Sequence, residues 1–329
     1  MNPLTDGKRE GLEKLSDKNG IIRALAIDQR GSLKKMISDG ENLANEKSLQ
    51  RFKVLVSETL TPYASAILLD PEYGWPAADV RAKCTGLLMA YEKTGYDASA
   101  KGRLPDLLAH WSVKRLKNRG ADGIKVLLYY DVDESPAIND QKQAFIERIG
   151  DECRAEDLPF FLEIVTYDAR ITDVLGEDYA KVKPHKVIEA MKVFSHDTYG
   201  VDVLKVEVPV NMAFVEGFGE KTIYTKEQAA EYFRAQSAAT DLPFIFLSAG
   251  VSAELFRKTL YFAKESGSRF NGVLCGRATW KDGATKFAKE GEKAAEDWLH
   301  NQGRENIESL NEVLQTCATP WQRAGRFAK

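Results

Sequence analysis

The stretch Val203-Leu204-Lys205-Val206-Glu207-Val208 sets two charged residues into an otherwise apolar run. On a strand, successive side chains point to opposite faces. Lys205 and Glu207 therefore share one face with Val201 and Val203, while Leu204, Val206 and Val208 form the other. A charge placed in a buried strand loses its hydration, which is costly, so it is seldom there for packing. The pattern recurs in Gly123-Ile124-Lys125-Val126-Leu127-Leu128 and in Phe161-Leu162-Glu163-Ile164-Val165. Runs that are apolar on both faces belong to parallel sheets covered on both sides.

Working outward, the sequence predicts eight strands: 23–28, 65–70, 86–91, 123–129, 160–166, 201–208, 244–248 and 272–276. The third of these, Gly86 to Tyr91, fits a helix as well. Helical spacing appears between most strands, over 106–119, 141–157, 184–194 and 226–240. Asp157-Leu158-Pro159-Phe160 and Asp241-Leu242-Pro243-Phe244 each close a helix and open a strand, because proline stops the one and forces extension before it. Eight strands alternating with helices predict an α/β fold, a (β/α)8 TIM barrel. The competing architecture is a doubly wound open sheet. It is disfavoured because the first turn reads Asp28-Gln29-Arg30-Gly31 and carries no G-x-G-x-x-G. No linker or low-complexity stretch divides the chain, so the expectation is a single domain over 1–329, with closing helices and a tail over about 281–329.

With 46 basic and 49 acidic residues the net charge is −3, which gives no argument for a nucleic-acid or anionic-membrane partner. No run reaches the roughly 18 apolar residues that cross a bilayer. The first residues carry no apolar signal segment. Cys84, Cys153, Cys275 and Cys317 form no CxxC pair and read as reduced thiols, so a cytoplasmic location is expected. Subunit number is not written in the sequence; a homodimer is the base-rate expectation.

Strand alternation turns Lys205 and Glu163 into the barrel, and Asp28 ends the first strand, where the active face of such a barrel lies. Ion pairs filling the barrel centre are one reading of these charges. The other is imine chemistry: an amine attacks a ketone, and a carboxylate moves the protons. The attacking amine must be uncharged, whereas a free lysine has a pKa near 10.4. Burial and a neighbouring cation lower such a value, and Lys125 is a like charge on a nearby strand. Glu163 is then the proton shuttle and Asp28 the holder of a lysine or a substrate hydroxyl. Spacing alone does not choose between Lys125 and Lys205 as the nucleophile.

Two small-residue turns follow the seventh and eighth strands, Ser248-Ala249-Gly250 and Cys275-Gly276-Arg277-Ala278. Barrel loops at these positions bind phosphate through backbone amides, and Arg277 adds a charged donor. Metal chemistry is not expected. The histidines His110, His185, His196 and His300 have no HxH or HExxH spacing.

The segments Ala26-Ile27-Asp28-Gln29-Arg30-Gly31, Leu69-Asp70-Pro71-Glu72-Tyr73-Gly74, Ala90-Tyr91-Glu92-Lys93-Thr94-Gly95-Tyr96, Lys125-Val126-Leu127-Leu128-Tyr129-Tyr130, Leu204-Lys205-Val206-Glu207-Val208-Pro209 and Leu247-Ser248-Ala249-Gly250-Val251 carry a resemblance. Over essentially its full length the chain resembles the class I tagatose 1,6-bisphosphate aldolases of Gram-positive bacteria. The resemblance implies a metal-independent, cofactor-free lyase on a TIM barrel. Such an enzyme cleaves a ketohexose 1,6-bisphosphate to dihydroxyacetone phosphate and glyceraldehyde 3-phosphate in lactose or galactose use. It implies a Schiff base on Lys205, acid/base work by Glu163, and support from Lys125 and Asp28. Gln29, Ser248, Gly250, Gly276 and Arg277 become substrate or phosphate contacts. The position of the second phosphate stays open among Arg30, Lys93 and Arg103. Rival readings are an aldolase for another phosphorylated ketose, such as a sulfonated one, and a sugar-phosphate-sensing regulatory protein. Whether the tail from Trp321 to Phe327 folds over the active face also stays open.

Overall fold

The structure is a computed structural model that describes residues 4–38, 44–93, 100–325 and 327. Eight strands form: β1 (Ile22–Ala26), β2 (Ala66–Leu69), β3 (Gly86–Ala90), β4 (Gly123–Tyr130), β5 (Phe160–Thr166), β6 (Val203–Val206), β7 (Phe244–Leu247) and β8 (Gly272–Cys275). They pair in chain order, all parallel, and β8 returns to β1 with Ile22 opposite Gly272. The sheet is a closed (β/α)8 barrel, and the open doubly wound alternative is excluded by that last pairing. Gly86–Ala90 is a strand, paired to both neighbours. Closure at β8 depends on Gly272, whose φ is +144° and where an added Cβ would sit 1.9 Å from the Ile22 carbonyl oxygen. Only glycine admits that approach.

Alternation sorts the side chains. Ile22, Ala24 and Ala26 of β1, Phe161 of β5, Val203 of β6 and Ile245 of β7 fill the barrel interior. Leu25, Leu162, Leu204 and Val206 join the layer between strands and helices. Lys205 and Glu163 lie on the interior face two residues further along, directly opposite each other across the β5–β6 ladder. The interior thus has an apolar floor and a charged upper layer toward the C-terminal strand ends.

The floor is sealed by both ends of the chain. Leu12 and Leu15 of the helix Asp6–Leu15 cover it, joined by the fully buried Trp321. The Trp321 amide donates to the Gly20 carbonyl at 2.9 Å, and its indole Nε1 donates to Ser16 Oγ at 3.1 Å. The tail therefore packs on the face opposite Lys205, with Phe327 against the Trp321 ring. Arg326 lies outside the described residues.

Four helical expectations shift. The helix expected over 106–119 runs only Val113–Asn118. Its intended first turns are held elsewhere: the Asp106 carbonyl accepts from the Lys93 amide, and the Leu108 amide donates to Tyr91. Ser112 then caps the short helix by accepting from the Arg115 amide. The expected 141–157 helix begins earlier, at Pro136, where the missing proline N–H is harmless. The expected 184–194 helix begins at Glu177 and carries Pro184 inside it. After β8, the helix Arg277–Glu290 starts directly and includes Trp280, ahead of Glu292–Trp298 and Arg304–Cys317. Among the described residues no helix is long and apolar enough to cross a membrane.

Removing the floor plug should be expensive. Trp321→Ala is expected to lower unfolding stability by about 3–5 kcal/mol, read as a fall in the urea midpoint; a loss under about 1 kcal/mol would show that the tail does not seal the barrel.

Candidate active site

The loop after β1 carries Asp28 and Gln29, and a buried pair missed in the sequence fixes its path. Lys53, from the helix Glu46–Leu60, and Asp70, after β2, meet at 2.6 Å with both side chains fully buried. The same Lys53 Nζ donates to the Ile27 carbonyl at 2.5 Å and the Gln29 carbonyl at 2.9 Å. Asp70 in turn accepts from the Glu72 and Tyr73 amides. Every donor and acceptor of the pair is thus used, as a buried pair requires.

The charged layer is one continuous chain of contacts. Lys205 Nζ lies 2.7 Å from Glu163 Oε1, and Lys125 Nζ lies 2.9 Å from Glu163 Oε2. Lys125 also meets Asp28 at 2.8 Å and Glu92 at 2.6 Å. Lys125 is thus wrapped by three carboxylates, whereas Lys205 touches one. Lys125 was expected to act on Lys205 as a bare like charge; instead its charge is locally matched. Burial alone would pull the Lys125 ammonium down, but Asp28, Glu163 and Glu92 hold it well above the usual lysine range. For Glu163 and Asp28, burial pushes upward, and the two lysines outweigh it and keep both carboxyls below the usual range. At Glu92 burial wins over the attraction of Lys125 and the carboxyl is raised. Glu92 stands two residues past β3, inside a segment that carried the resemblance but without a role assigned to it.

Glu207, read from its strand as a neighbour of Lys205, is diverted. The strand ends at Val206, and the Glu207 carboxylate accepts from the Thr166 amide at 2.8 Å and hydroxyl at 2.7 Å. Lys183, from the helix Glu177–Phe194, pairs with it at 3.0 Å.

These groups open into a cavity of about 670 Å³ at the C-terminal ends of the strands. Seven basic side chains and four carboxylates line it, so it favours an anionic occupant although the chain is acidic overall. Ser248, Gly250, Gly276, Arg277 and Gln29 all reach it. Gly250 has φ +79°, and an added Cβ would lie 3.1 Å from Arg277 Nη2, so the turn lets the guanidinium rest against bare backbone. The helix Arg277–Glu290 begins here with no side-chain cap, leaving its first amides for an anion. Gln29 Oε1 is buried without a hydrogen-bond partner among the described residues.

On the opposite wall Arg103 is caged by aromatic rings. Its guanidinium carbon stands 4.3 Å from the Tyr167 ring centre and 5.5 Å from that of Tyr129. Behind Tyr167, the fully buried Lys142 donates to its hydroxyl at 3.1 Å. Of the three residues named for the second phosphate, Arg30 is engaged by Glu72 and by the Glu92 carbonyl, and Lys93 is paired to Asp106.

The barrel is of the aldolase type. An archaeal fructose-1,6-bisphosphate aldolase with its catalytic Lys covalently bound to the carbinolamine intermediate has a similar fold. It shows TM-score 0.56 at 16% identity, covering 87% of this chain and 98% of that one. The fructose-bisphosphate aldolase from Slackia heliotrinireducens is likewise similar, with TM-score 0.59 at 17% identity, covering 93% and 89%. The chain belongs to the DeoC/LacD family of aldolases, whose family model matches residues 22–282. It is 66% identical to tagatose 1,6-diphosphate aldolase 2 of Enterococcus faecalis, over 98% of this chain and 97% of that protein. It is 60% identical to tagatose 1,6-diphosphate aldolase 1 of Streptococcus mutans, over 97% and 99%.

Burial lowers Lys142 from 10.5 to about 8. Below pH 8 its charge is carried in both folded and unfolded chains; between about 8 and 10.5 the unfolded chain binds more protons, so stability rises with pH. Denaturation of wild type and Lys142→Met at pH 7 and pH 10 should show the wild type gaining on the variant at the higher pH. A difference that is flat, or that moves the other way, would contradict the buried amine.

Proposed function

We propose that this chain is a class I aldolase that cleaves D-tagatose 1,6-bisphosphate to dihydroxyacetone phosphate and D-glyceraldehyde 3-phosphate, and that it accepts other ketohexose 1,6-bisphosphates. The observation that carries this reading is the unequal sharing of Glu163. Lys125 is fixed as a cation by three carboxylates, whereas Lys205 has Glu163 alone, 2.7 Å away. Lys205 is thus the amine that a single proton acceptor can free. The relatives' names supply the sugar, and the cationic cavity suits two phosphates.

In this reading Lys205 Nζ gives a proton to Glu163 and adds to the keto carbon. The resulting carbinolamine takes a proton from Glu163, loses water and becomes a protonated imine. Glu163, ionised again, takes the proton of the C4 hydroxyl, two carbons from the iminium; the C3–C4 bond breaks, glyceraldehyde 3-phosphate leaves, and the electron pair of that bond moves onto the iminium to give an enamine. A proton returned to carbon and hydrolysis of the imine release dihydroxyacetone phosphate and restore Lys205. Lys125, always charged, holds Glu163 and Asp28 in place. Gln29, Ser248, Gly250, Gly276 and Arg277 hold the phosphate nearest the keto carbon. A cytoplasmic setting is supported by four unpaired cysteines, and a pair of chains is the commonest closed assembly.

Borohydride added with dihydroxyacetone phosphate should inactivate the protein and leave covalent mass on Lys205. Mass on Lys125 would reverse the two lysines' roles, and no adduct would remove the imine. Glu163→Gln should retain the fold by circular dichroism and lose about 10²–10⁴-fold in kcat; near-wild-type turnover would remove its acid/base role.

A further inference from the structure

We infer that Arg103, stacked on Tyr167 and Tyr129, is the binding residue for the second phosphate, the one remote from the keto carbon. The inference rests on the aldolase reading above and concerns the far end of the same cavity.

The seven basic side chains lining the cavity are not equivalent. Lys125 and Lys205 are committed to Glu163 and its neighbours, and Lys183 to Glu207. Arg30 is held by Glu72, and Lys93 by Asp106. Among the described residues only Arg277 and Arg103 line the cavity with no carboxylate in ion-pair distance. A bisphosphate brings two dianions, and an arginine offers each the forked donors that match a phosphate.

Their placement fits one elongated substrate. Arg277 follows β8, and Tyr129 and Tyr167 belong to β4 and to the residue just past β5. In a ring of eight strands β4 lies across from β8, and β6, which bears Lys205, lies midway between them. A ketose whose keto carbon sits at Lys205 and whose near phosphate sits at Arg277 therefore directs its far end toward Arg103.

The cage shows signs of being built. Gly102 and Arg103 are consecutive residues with φ of +82° and +43°. A left-handed arginine is uncommon, and such strain recurs where a side chain is held for a ligand. The Tyr167 hydroxyl donates to the Gly102 carbonyl at 3.3 Å and accepts from Lys142 behind it. The guanidinium carbon rests 4.3 Å and 5.5 Å from the two ring centres, and its N–H donors are not taken by any carboxylate among the described residues. Stacking thus fixes the side chain before the substrate arrives, which reduces the entropy lost on binding.

The test compares a ketohexose 1,6-bisphosphate with the matching ketohexose 1-phosphate. Arg103→Ala should lose roughly 10- to 100-fold in kcat/KM on the bisphosphate, chiefly through KM. It should cleave the 1-phosphate as the wild type does. Arg103→Lys, which keeps the charge without the fork, should recover part of the loss. Borohydride trapping with dihydroxyacetone phosphate, which lacks the far phosphate, reports whether the Arg103→Ala site is intact. An unchanged bisphosphate KM overturns the assignment, as does equal impairment of both substrates or of trapping. If the wild-type chain itself is not trapped, the aldolase reading fails, and this one with it.

Discussion

The Glu163 carboxylate lies between two ammonium groups, Lys205 at 2.7 Å and Lys125 at 2.9 Å, inside a barrel that leaves all three largely buried. Each charge taken alone would cost several kcal/mol to bury. They are tolerated because they form a chain in which each ion meets an opposite one, and because Asp28 and Glu92 balance the surplus on Lys125. In the proposed reading, the asymmetry of that chain divides the work. Lys125, ringed by three carboxylates, binds its proton more tightly than an ordinary lysine, whereas Lys205 meets Glu163 alone. Two residues of the same type on nearby strands thus sit in different electrostatic surroundings through their neighbours alone.

The rest of the molecule serves to keep that layer at a fixed height. Phe161, Val203, Ile245 and Leu274 fill the barrel below it, and Leu12, Leu15 and Trp321 close the end. Water cannot reach the charges from beneath. At the upper rim the fully buried Lys53–Asp70 pair ties the end of β1 to that of β2 and so aims Asp28. On β5 and β6 the apolar floor and the ionic rim follow from one alternation pattern, with Phe161 and Val203 below and Glu163 and Lys205 two positions later.

Much of this was legible in the chain. All eight strands could be found, because short runs rich in Ile, Val and Leu and apolar on both faces have few other uses, and charges set into three of those runs marked the site. The inward direction of Lys205 and Glu163 followed from alternation, and the turns at Ser248–Gly250 and Gly276–Arg277 were visible as small residues after strands. What stayed hidden was tertiary. Lys53 and Lys183 reach the site from helices, where a lysine ordinarily signals an exposed face. Glu207 obeyed the pattern of its strand on paper, yet the strand stops one residue short and the Thr166 amide captures the carboxylate. The segment 106–112 has helical spacing, but its backbone bonds are taken by residues 91–93, a competition between distant segments that local spacing cannot express. The tail likewise gave no sign of direction, since the surface that receives Trp321 is assembled from residues at the opposite end of the sequence.

The most direct test of the shared carboxylate is a crystal structure of the enzyme soaked with dihydroxyacetone phosphate and no reductant. The account predicts continuous density from Lys205 Nζ to the keto carbon, Glu163 beside that bond, and Lys125 still in contact with Asp28, Glu92 and Glu163. Density joining the ligand to Lys125, or a ligand bound without a bond to either lysine while Glu163 lies remote from Lys205, would contradict it.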